Sequence, residues 1–417
     1  MKNLFQIFTI TLFLATGLVK DIYGIPAFSR KYKTSCITCH YAYPMLNAFG
    51  KAFKNNGYRW PGGDENYVKE EPVSLGVEGY KKVWPNAIWP ADIPGTAPIS
   101  VFATGRINYE AMSNVKWGFE IPHEVEVLYA GTIGENFSFF GEVEMENEDN
   151  EIEIAFPFLL QYDFSPEFHI RAGMVQSDPT PTHLRLTRNH YNVASLRSRN
   201  GWRFRDDQYG LELWGALNGI GNRGGLTYRL GIVNGQGLTA IKPEKDFYSK
   251  ITYKIGGLSE IGGTKGMKTS KTSEFYVDNS LTLGGFFYKG TETKENAKNE
   301  NLTVFGGDLD FWYSRFIVNS SVMLMNSELA DTTDTRKSMA YYIQGNGVIY
   351  PWLIGIVRYE WEDKDTDNDG VKPVNAIIPG ITVLPRANIK LIFEFKKFLD
   401  EANKKNDTFV LQINFGI

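Results

Sequence analysis

The sequence predicts an all-β protein: an antiparallel β-barrel of the outer-membrane type with about sixteen strands, preceded by a small helical and irregular segment. Three observations carry that expectation. From residue 98 to residue 417 the chain falls into short runs of alternating apolar and polar side chains, separated by turn residues. The connections between those runs are alternately short and long, as in a barrel whose two chain ends both face the periplasm. Aromatic residues reach 14% and glycines number 41, yet beyond the first two dozen residues no apolar run is long enough for a membrane helix. A net charge near −4 leaves no electrostatic footprint for nucleic acid.

Taken in order, the chain opens with an export signal. Lys2 supplies the positive start and Leu4 to Leu18 the apolar stretch. The preferred cleavage point follows Gly24, with Gly17 the other option, so residues 1–24 are assigned to the signal. That stretch is short for a retained membrane anchor.

Residues 25–96 form the next unit, centred on Ser35-Cys36-Ile37-Thr38-Cys39-His40. In the C-x-x-C-H spacing each thiol is placed to form a thioether with a haem vinyl group, and the following imidazole to bind the iron. The chain has 2 cysteines and 5 histidines, and both cysteines stand beside one of those histidines. A redox disulfide expects a thioredoxin-like βαβ context, which is absent; a zinc site lacks its remaining ligands. The expected cofactor is one covalent haem c on Cys36 and Cys39, with His40 as proximal ligand. Export agrees with this, because bacterial thioether attachment takes place outside the cytoplasm. Beyond the motif, Leu46, Phe49 and Phe53 repeat at helical spacing and Gly57 suits a stop, so a short helix is expected. Residues 59–98 read as an irregular connection. So small a unit buries a limited core, and the rest of the chain is expected to shield the haem.

Residues 97–417 are assigned to the barrel. The predicted strands are 98–111, 121–131, 136–147, 152–163, 166–175, 208–217, 224–233, 246–255, 279–289, 302–314, 315–326, 337–350, 351–361, 374–383, 387–397 and 407–417. Short inner turns are expected at Gly134-Glu135, Ser165-Pro166, Ser314-Arg315, Tyr350-Pro351 and Leu384-Pro385-Arg386. Longer outer loops are expected at 290–301, 327–336, 362–373 and 398–406. Residues 256–278 break the pattern, being long yet on the inner side, which leaves fourteen or eighteen strands open. On the last strand Phe409, Leu411, Ile413, Phe415 and Ile417 share one face, and Val410, Gln412, Asn414 and Gly416 the other. The strand before it sets Ile389, Leu391, Phe393 and Phe395 against Asn388, Lys390, Glu394 and Lys396. Such alternation across so many strands fits lipid outside and a wet lumen; a soluble sandwich with an apolar core is the competing arrangement.

Several charges fall on the predicted lumenal face. Glu124 and Glu126, then Glu142, Glu144 and Glu146, then Glu151 and Glu153, would form an acidic wall on neighbouring strands. Its two readings are a solvated sheet face and a wall that attracts cations. The third outer loop, about 176–207, carries Arg185, Arg188, Arg197, Arg199, Arg203 and Arg205. By analogy with porins it folds inward. Candidates for a sixth iron ligand are His169, His183 and His190, with a five-coordinate iron as the alternative; Met45 is too near His40 in sequence. The run Asp365-Thr366-Asp367-Asn368-Asp369-Gly370 opens like an EF-hand calcium loop, but Ala376 stands where that loop needs Glu, so a polar loop tip is the default.

A family resemblance rests on Pro26-Ala27-Phe28-Ser29-Arg30, on Cys36-Ile37-Thr38-Cys39-His40, on Pro44 through Lys54, and on Gly57-Tyr58. These stretches resemble the fused monohaem cytochrome–porin family, which includes outer-membrane iron oxidases. The resemblance covers about 35 residues; beyond them only the order, a haem unit and then a barrel, agrees. It implies haem attachment at Cys36 and Cys39, ligation by His40, and electron transfer across the outer membrane. The expected partners are periplasmic electron carriers such as cytochromes, an extracellular donor or acceptor, Fe(II)/Fe(III) among them, and outer-membrane lipid. Two other functions remain in view: a diffusion porin with a haem-bearing plug or sensor segment, and a soluble periplasmic haem-binding β protein.

Overall fold

The computed structural model describes residues 27–417 apart from 65–66, 69–72, 75–81, 84, 86–91, 96, 115, 149–150, 178, 182–191, 199–200, 202–203, 205–206, 236–243, 263–274, 293–298, 331–332 and 401. The proposed signal peptide lies outside the described residues.

The strands between residues 99 and 416 close into one antiparallel barrel. In chain order they are β1 (Ile99–Glu110), β2 (Trp117–Ile133) and β3 (Phe137–Glu148). Then comes β4, in two parts, Glu151–Ala155 and Phe158–Ser165. Both parts pair with β3, with Glu153 opposite Glu146 and Phe158 opposite Gly141, so they are one strand. Pro157 interrupts it, since proline has no N–H to give the ladder. There follow β5 (Phe168–Val175), β6 (Gln208–Asn218), β7 (Gly225–Val233) and β8 (Asp246–Gly256). Next are β9 (Ser280–Glu292), β10 (Glu300–Tyr313), β11 (Phe316–Leu329) and β12 (Thr335–Tyr350). Last are β13 (Leu353–Asp363), β14 (Val374–Arg386), β15 (Ile389–Phe398) and β16 (Thr408–Gly416). β16 closes onto β1, with Leu411 opposite Ile107. The barrel therefore has sixteen strands, and each predicted strand falls on one of them. The connection after β8 adds no strand to the barrel, which removes the alternatives of fourteen and eighteen. β14 runs on through Leu384-Pro385-Arg386, so its turn is Ala387-Asn388.

The two faces of the wall decide between membrane barrel and soluble sandwich. Apolar side chains point outward into the surroundings: Phe119 is 73% exposed and Ile152 also 73%. Polar ones point in and are buried: Arg358 and Gln344 are 0% exposed, Glu394 1%. A water-soluble fold puts these residues the other way round, so the outer surface is lipid-facing and the lumen polar. Several lumenal charges are paired: Lys250 with Asp308 at 2.9 Å, Arg358 with Glu360 at 3.0 Å, and Arg171 donating to Glu212. On β16, Val410, Gln412 and Asn414 face inward, as the alternation predicts.

The third outer loop folds into the lumen. Val193, Leu196 and Phe204 bury themselves against Phe286, Tyr288, Met323 and Tyr342 on β9, β11 and β12. Asn192 donates to the carbonyls of Tyr341 and Trp361.

The opposite mouth, at the short-turn end, holds the N-terminal segment. Helix α1 (Ala27–Tyr32) is followed by a single turn at Cys36–Thr38, then by a small hairpin pairing His40–Ala42 with Met45–Leu46. Helix α2 (Ala48–Asn55) comes next. Leu46 lies just before α2, while Phe49 and Phe53 form its buried stripe. The helix ends in a Schellman arrangement: Tyr58 donates to the Phe53 carbonyl and Gly57 to that of Lys54. Gly57 takes φ +65° there. A side chain at that position would also strike the Asp163 carboxylate of β4.

Candidate functional site

The C-x-x-C-H stretch is held from below by α2. Asn47 caps the helix by accepting from Gly50 N at 2.8 Å. Its amide donates back to the carbonyls of Ile37 and Thr38, at 3.1 and 3.2 Å. One buried side chain thus ties the helix start to the cysteine turn. Gly50 is required by the same packing, because a Cβ there would lie 2.0 Å from the Cys39 carbonyl oxygen. Within the turn, Cys39 N donates to Cys36 O at 3.2 Å.

The two cysteines are thiols, not a disulfide. Burial pushes Cys39 up to about 12 and raises Cys36 as well. A dithiol built for exchange chemistry does the reverse and lowers a thiol pKa. His40 Nδ1 lies 3.0 Å from the Pro44 carbonyl, which fixes the ring and assigns the proton to that nitrogen. The Met45 backbone also hydrogen-bonds the ring. Burial pushes His40 down to about 4, so the imidazole is neutral at pH 7, the form that binds a metal. Nearby, the indole N–H of Trp60 is shielded from solvent without a hydrogen-bond partner. Trp60 belongs to the apolar cluster of Tyr32, Phe49 and Phe53 on which Cys39 also packs. A neutral imidazole anchored at Nδ1, two protonated thiols three positions apart, and an orphan donor beside them fit a covalent haem with a carboxylate to satisfy.

The segment is fastened to the wall around the mouth. Ala27 N donates to Ser100 on β1, and Arg30 to the carbonyls of Ala97 and Ile99. Tyr41 meets Trp312 of β10 edge-on at 5.5 Å. Lys51 pairs with Asp310 at 2.8 Å, and Asp310 also accepts from Trp312 and Asn319. Arg59 pairs with Asp163 at 2.7 Å. The long inner connection that broke the loop pattern is part of this grip. Glu260 accepts from Asn55, and the Ile261 carbonyl accepts from Asn56. Phe275 and Tyr276 join Tyr41, Ala42 and Met45 in a cluster with Trp312, Ile317, Val348, Ile354 and Leu384. The described parts of the connection lie against the segment on both sides of residues 263–274.

Of the sixth-ligand candidates, His183 and His190 lie outside the described residues. His169 is lumenal near the short-turn end, as its strand position predicts, and 1% exposed. Its Nδ1 lies 2.7 Å from Asp163 and its Nε2 3.1 Å from the Asn55 carbonyl, so both nitrogens have protein partners. It is stacked on Trp214 at 4.3 Å.

The acidic wall forms as the register predicts, with Glu124 opposite Glu146 and Glu126 opposite Glu144. Oxygens of Glu124, Glu126 and Glu144 lie within 4.8 Å of one another. The wall faces the segment: burial, and then the carboxylates of Glu126 and Glu142, push the Tyr43 phenol upward. Sequence reasoning left out His123, which sits between Glu120 at 2.8 Å and Glu146 at 2.9 Å and is buried. Its presence on an acid-bearing strand was the available signal. In the 365–370 loop, Asp367 pairs with Lys337, and Asn368 accepts from Gly370 N; no carboxylate cluster forms there among the described residues.

No family model and no curated protein sequence matches this chain. Solved structures do. An anion-selective porin from Comamonas acidovorans aligns with a TM-score of 0.53 at 10% identity, over 77% of this chain and 100% of its own. A loop L8 deletion mutant of OmpT, an outer membrane protein of Vibrio cholerae, aligns with a TM-score of 0.52 at 8% identity, over 77% and 99%. At such identities the likeness is one of fold: this chain has the barrel of the outer-membrane porins.

Proposed function

We propose that the chain is an outer-membrane cytochrome–porin fusion. It would carry electrons across the membrane between an extracellular donor or acceptor, Fe(II)/Fe(III) among them, and periplasmic carriers. The observation that supports this reading most is the seating of the C-x-x-C-H segment inside the barrel mouth, on neutral ligands that fit a haem. Short turns mark the periplasmic end of such barrels, so the segment would lie where a periplasmic carrier can approach. Cys36 and Cys39 would hold the porphyrin, His40 Nε2 the iron, and Pro44 O would keep that imidazole oriented. A haem bound there supplies one-electron chemistry. The rest of the work falls to the protein: Asn47 and Gly50 keep the cysteine turn on α2, and the wall contacts keep α2 in the mouth.

A second reading is favoured by the fold likeness: a diffusion porin whose N-terminal segment is a plug. The two differ in what crosses the membrane. The test for the first is a haem-stained gel of fractionated membranes, comparing wild type with Cys36→Ala, followed by electron exchange with Fe(II) and with a reduced periplasmic cytochrome. Stain and exchange in wild type, with stain lost in the variant, are expected. Nanosiemens conductance from wild-type protein in planar bilayers, with no electron exchange, would select the plugged porin.

A further inference from the structure

The lumenal wall beside the segment carries a histidine that its own strand pattern would place elsewhere. On β2, Phe119 and Ile121 face outward at 73% and 66% exposure, and strict alternation would send His123 the same way. The register prevents it. Thr104 of β1 stands opposite Glu124 but Arg106 opposite Glu120, so residues 121–123 share the single position of Gly105. This bulge turns His123 inward, where it is 5% exposed and shares the lumenal face of Glu124.

The imidazole arrives there unsatisfied. Both of its nitrogens are shielded from solvent and neither has a hydrogen-bond partner. Carboxylate oxygens stand close by, of Glu120 at 2.8 Å from Nδ1 and of Glu146 at 2.9 Å from Nε2. A neutral imidazole has one proton for two such neighbours, so one nitrogen turns a lone pair toward a carboxylate. Glu120 is held in place: Asn108 donates to it at 2.6 Å and Arg106 lies 4.0 Å away. It stands where a carboxylate orients a metal-binding imidazole through its remote nitrogen. Nε2 then faces Glu146. Two donor atoms each about 2.1 Å from one metal ion, and at right angles to each other, stand about 3.0 Å apart. The separation of Nε2 and Glu146 matches that spacing.

The wall supplies further oxygens around this pair. Glu124 is opposite Glu146, and Glu126 opposite Glu144. Oxygens of Glu124, Glu126 and Glu144 lie within 4.8 Å of one another, and none of the three pairs with a lysine or arginine among the described residues. Like charges so close need a proton or a cation between them. We propose that this face of β2 and β3 binds one divalent first-row metal ion, with His123 Nε2 as the nitrogen donor and oxygen donors drawn from Glu124, Glu126, Glu144 and Glu146. Oxygens alone would suit calcium or magnesium; the imidazole moves the preference to the transition series. The side chains of Glu120 and Glu146 are 36% and 30% exposed, so the lumen can supply the ion. The site adjoins the segment: Tyr43, in the hairpin turn, meets His40 edge-on at 5.0 Å and packs on Phe102, which stands opposite Glu126. The ion would be held whether or not haem is bound.

The test uses full-length protein extracted from outer membranes in detergent, freed of metal with a chelator and titrated with Mn(II). A single Mn(II) per chain should bind, with nitrogen coupling in pulsed paramagnetic resonance. His123→Gln should remove that coupling and weaken binding by about tenfold or more. Glu120→Gln, which leaves the donors in place, should keep the coupling and lose about tenfold in affinity. Glu124→Gln with Glu144→Gln should abolish binding; should that double variant form no heat-modifiable barrel, His123→Gln decides by itself. Binding of several Mn(II) ions without nitrogen coupling, unchanged in His123→Gln, would mean a solvated acidic face and overturn the site. Coupling that survives His123→Gln would overturn it too, since another histidine would then be the donor. So would the absence of saturable binding, which leaves His123 as an imidazolium shared by Glu120 and Glu146. None of these outcomes reads haem, whose presence the stained gel judges separately.

Discussion

The imidazole of His169 on β5 stands 3.1 Å from the backbone carbonyl of Asn55, at the last turn of α2, more than a hundred residues away in the chain. Its other nitrogen is held by Asp163 at 2.7 Å, and Asp163 in turn takes Arg59 from the segment. The wall thus grips the end of the helix through one histidine and one carboxylate.

Replacing that histidine tests the grip. His169→Phe keeps a ring on Trp214 but removes the ring's hydrogen bonding to the Asn55 carbonyl and Asp163, at a cost of about 2 kcal/mol. The barrel band should convert to its unfolded mobility at a lower temperature. Under the haem reading proposed above, the axial-ligand signature of the spectrum should not change; a change of spin state would make His169 an iron ligand.

Asn47 has two separable jobs. Asn47→Asp keeps an oxygen for the Gly50 N–H but loses both donors to Ile37 and Thr38, while Asn47→Ala loses cap and tether together. Loss of the cap costs about 1 kcal/mol. Under the haem reading proposed above, and if the tether positions the cysteine turn, Asn47→Asp should lower the yield of covalent haem nearly as much as Asn47→Ala. A haem yield that follows only the cap would count against the tether.

Lys51 and Asp310 are coupled across 259 residues. Removing one charge strands the other, so Lys51→Met and Asp310→Asn alone should each destabilise by about 3 kcal/mol. The double variant should recover part of that loss, a coupling of about 1–2 kcal/mol in a cycle read from the temperature of band conversion. Additive losses would mean the pair contributes nothing to seating the segment.

Asp278, in the connection that encloses the segment, should confer a pH dependence. Burial alone would raise it, but Lys254 at 2.8 Å, Ser280 and the Leu258 N–H together hold it below the usual carboxylate value. With the folded value depressed, its stabilisation is present above the unfolded pKa of about 3.9 and is lost as pH falls through the folded value. Wild type should therefore exceed Asp278→Asn in heat stability at pH 7, and the difference should vanish on acidification well below pH 4. A constant difference down to that pH would show that the pair does not carry the effect.

The barrel was legible in the sequence because its signals are local. Period-two alternation at residues such as Gln412 and Asn414, and turn residues such as Ser314-Arg315, need only a few neighbours to be read. The acidic wall was legible for the same reason, since register follows once strands and turns are placed. The cysteine motif was legible by spacing alone. Where its segment sits was not, nor was the employment of His169, nor the purpose of the long inner connection at 256–278. Those depend on contacts such as Arg59 with Asp163 and Asn55 with Glu260, between residues 104 and 205 positions apart. Neither partner carries a mark of the other in its own stretch of sequence. Closing the barrel is what brings them within a hydrogen bond, and burial is what makes the meeting hold.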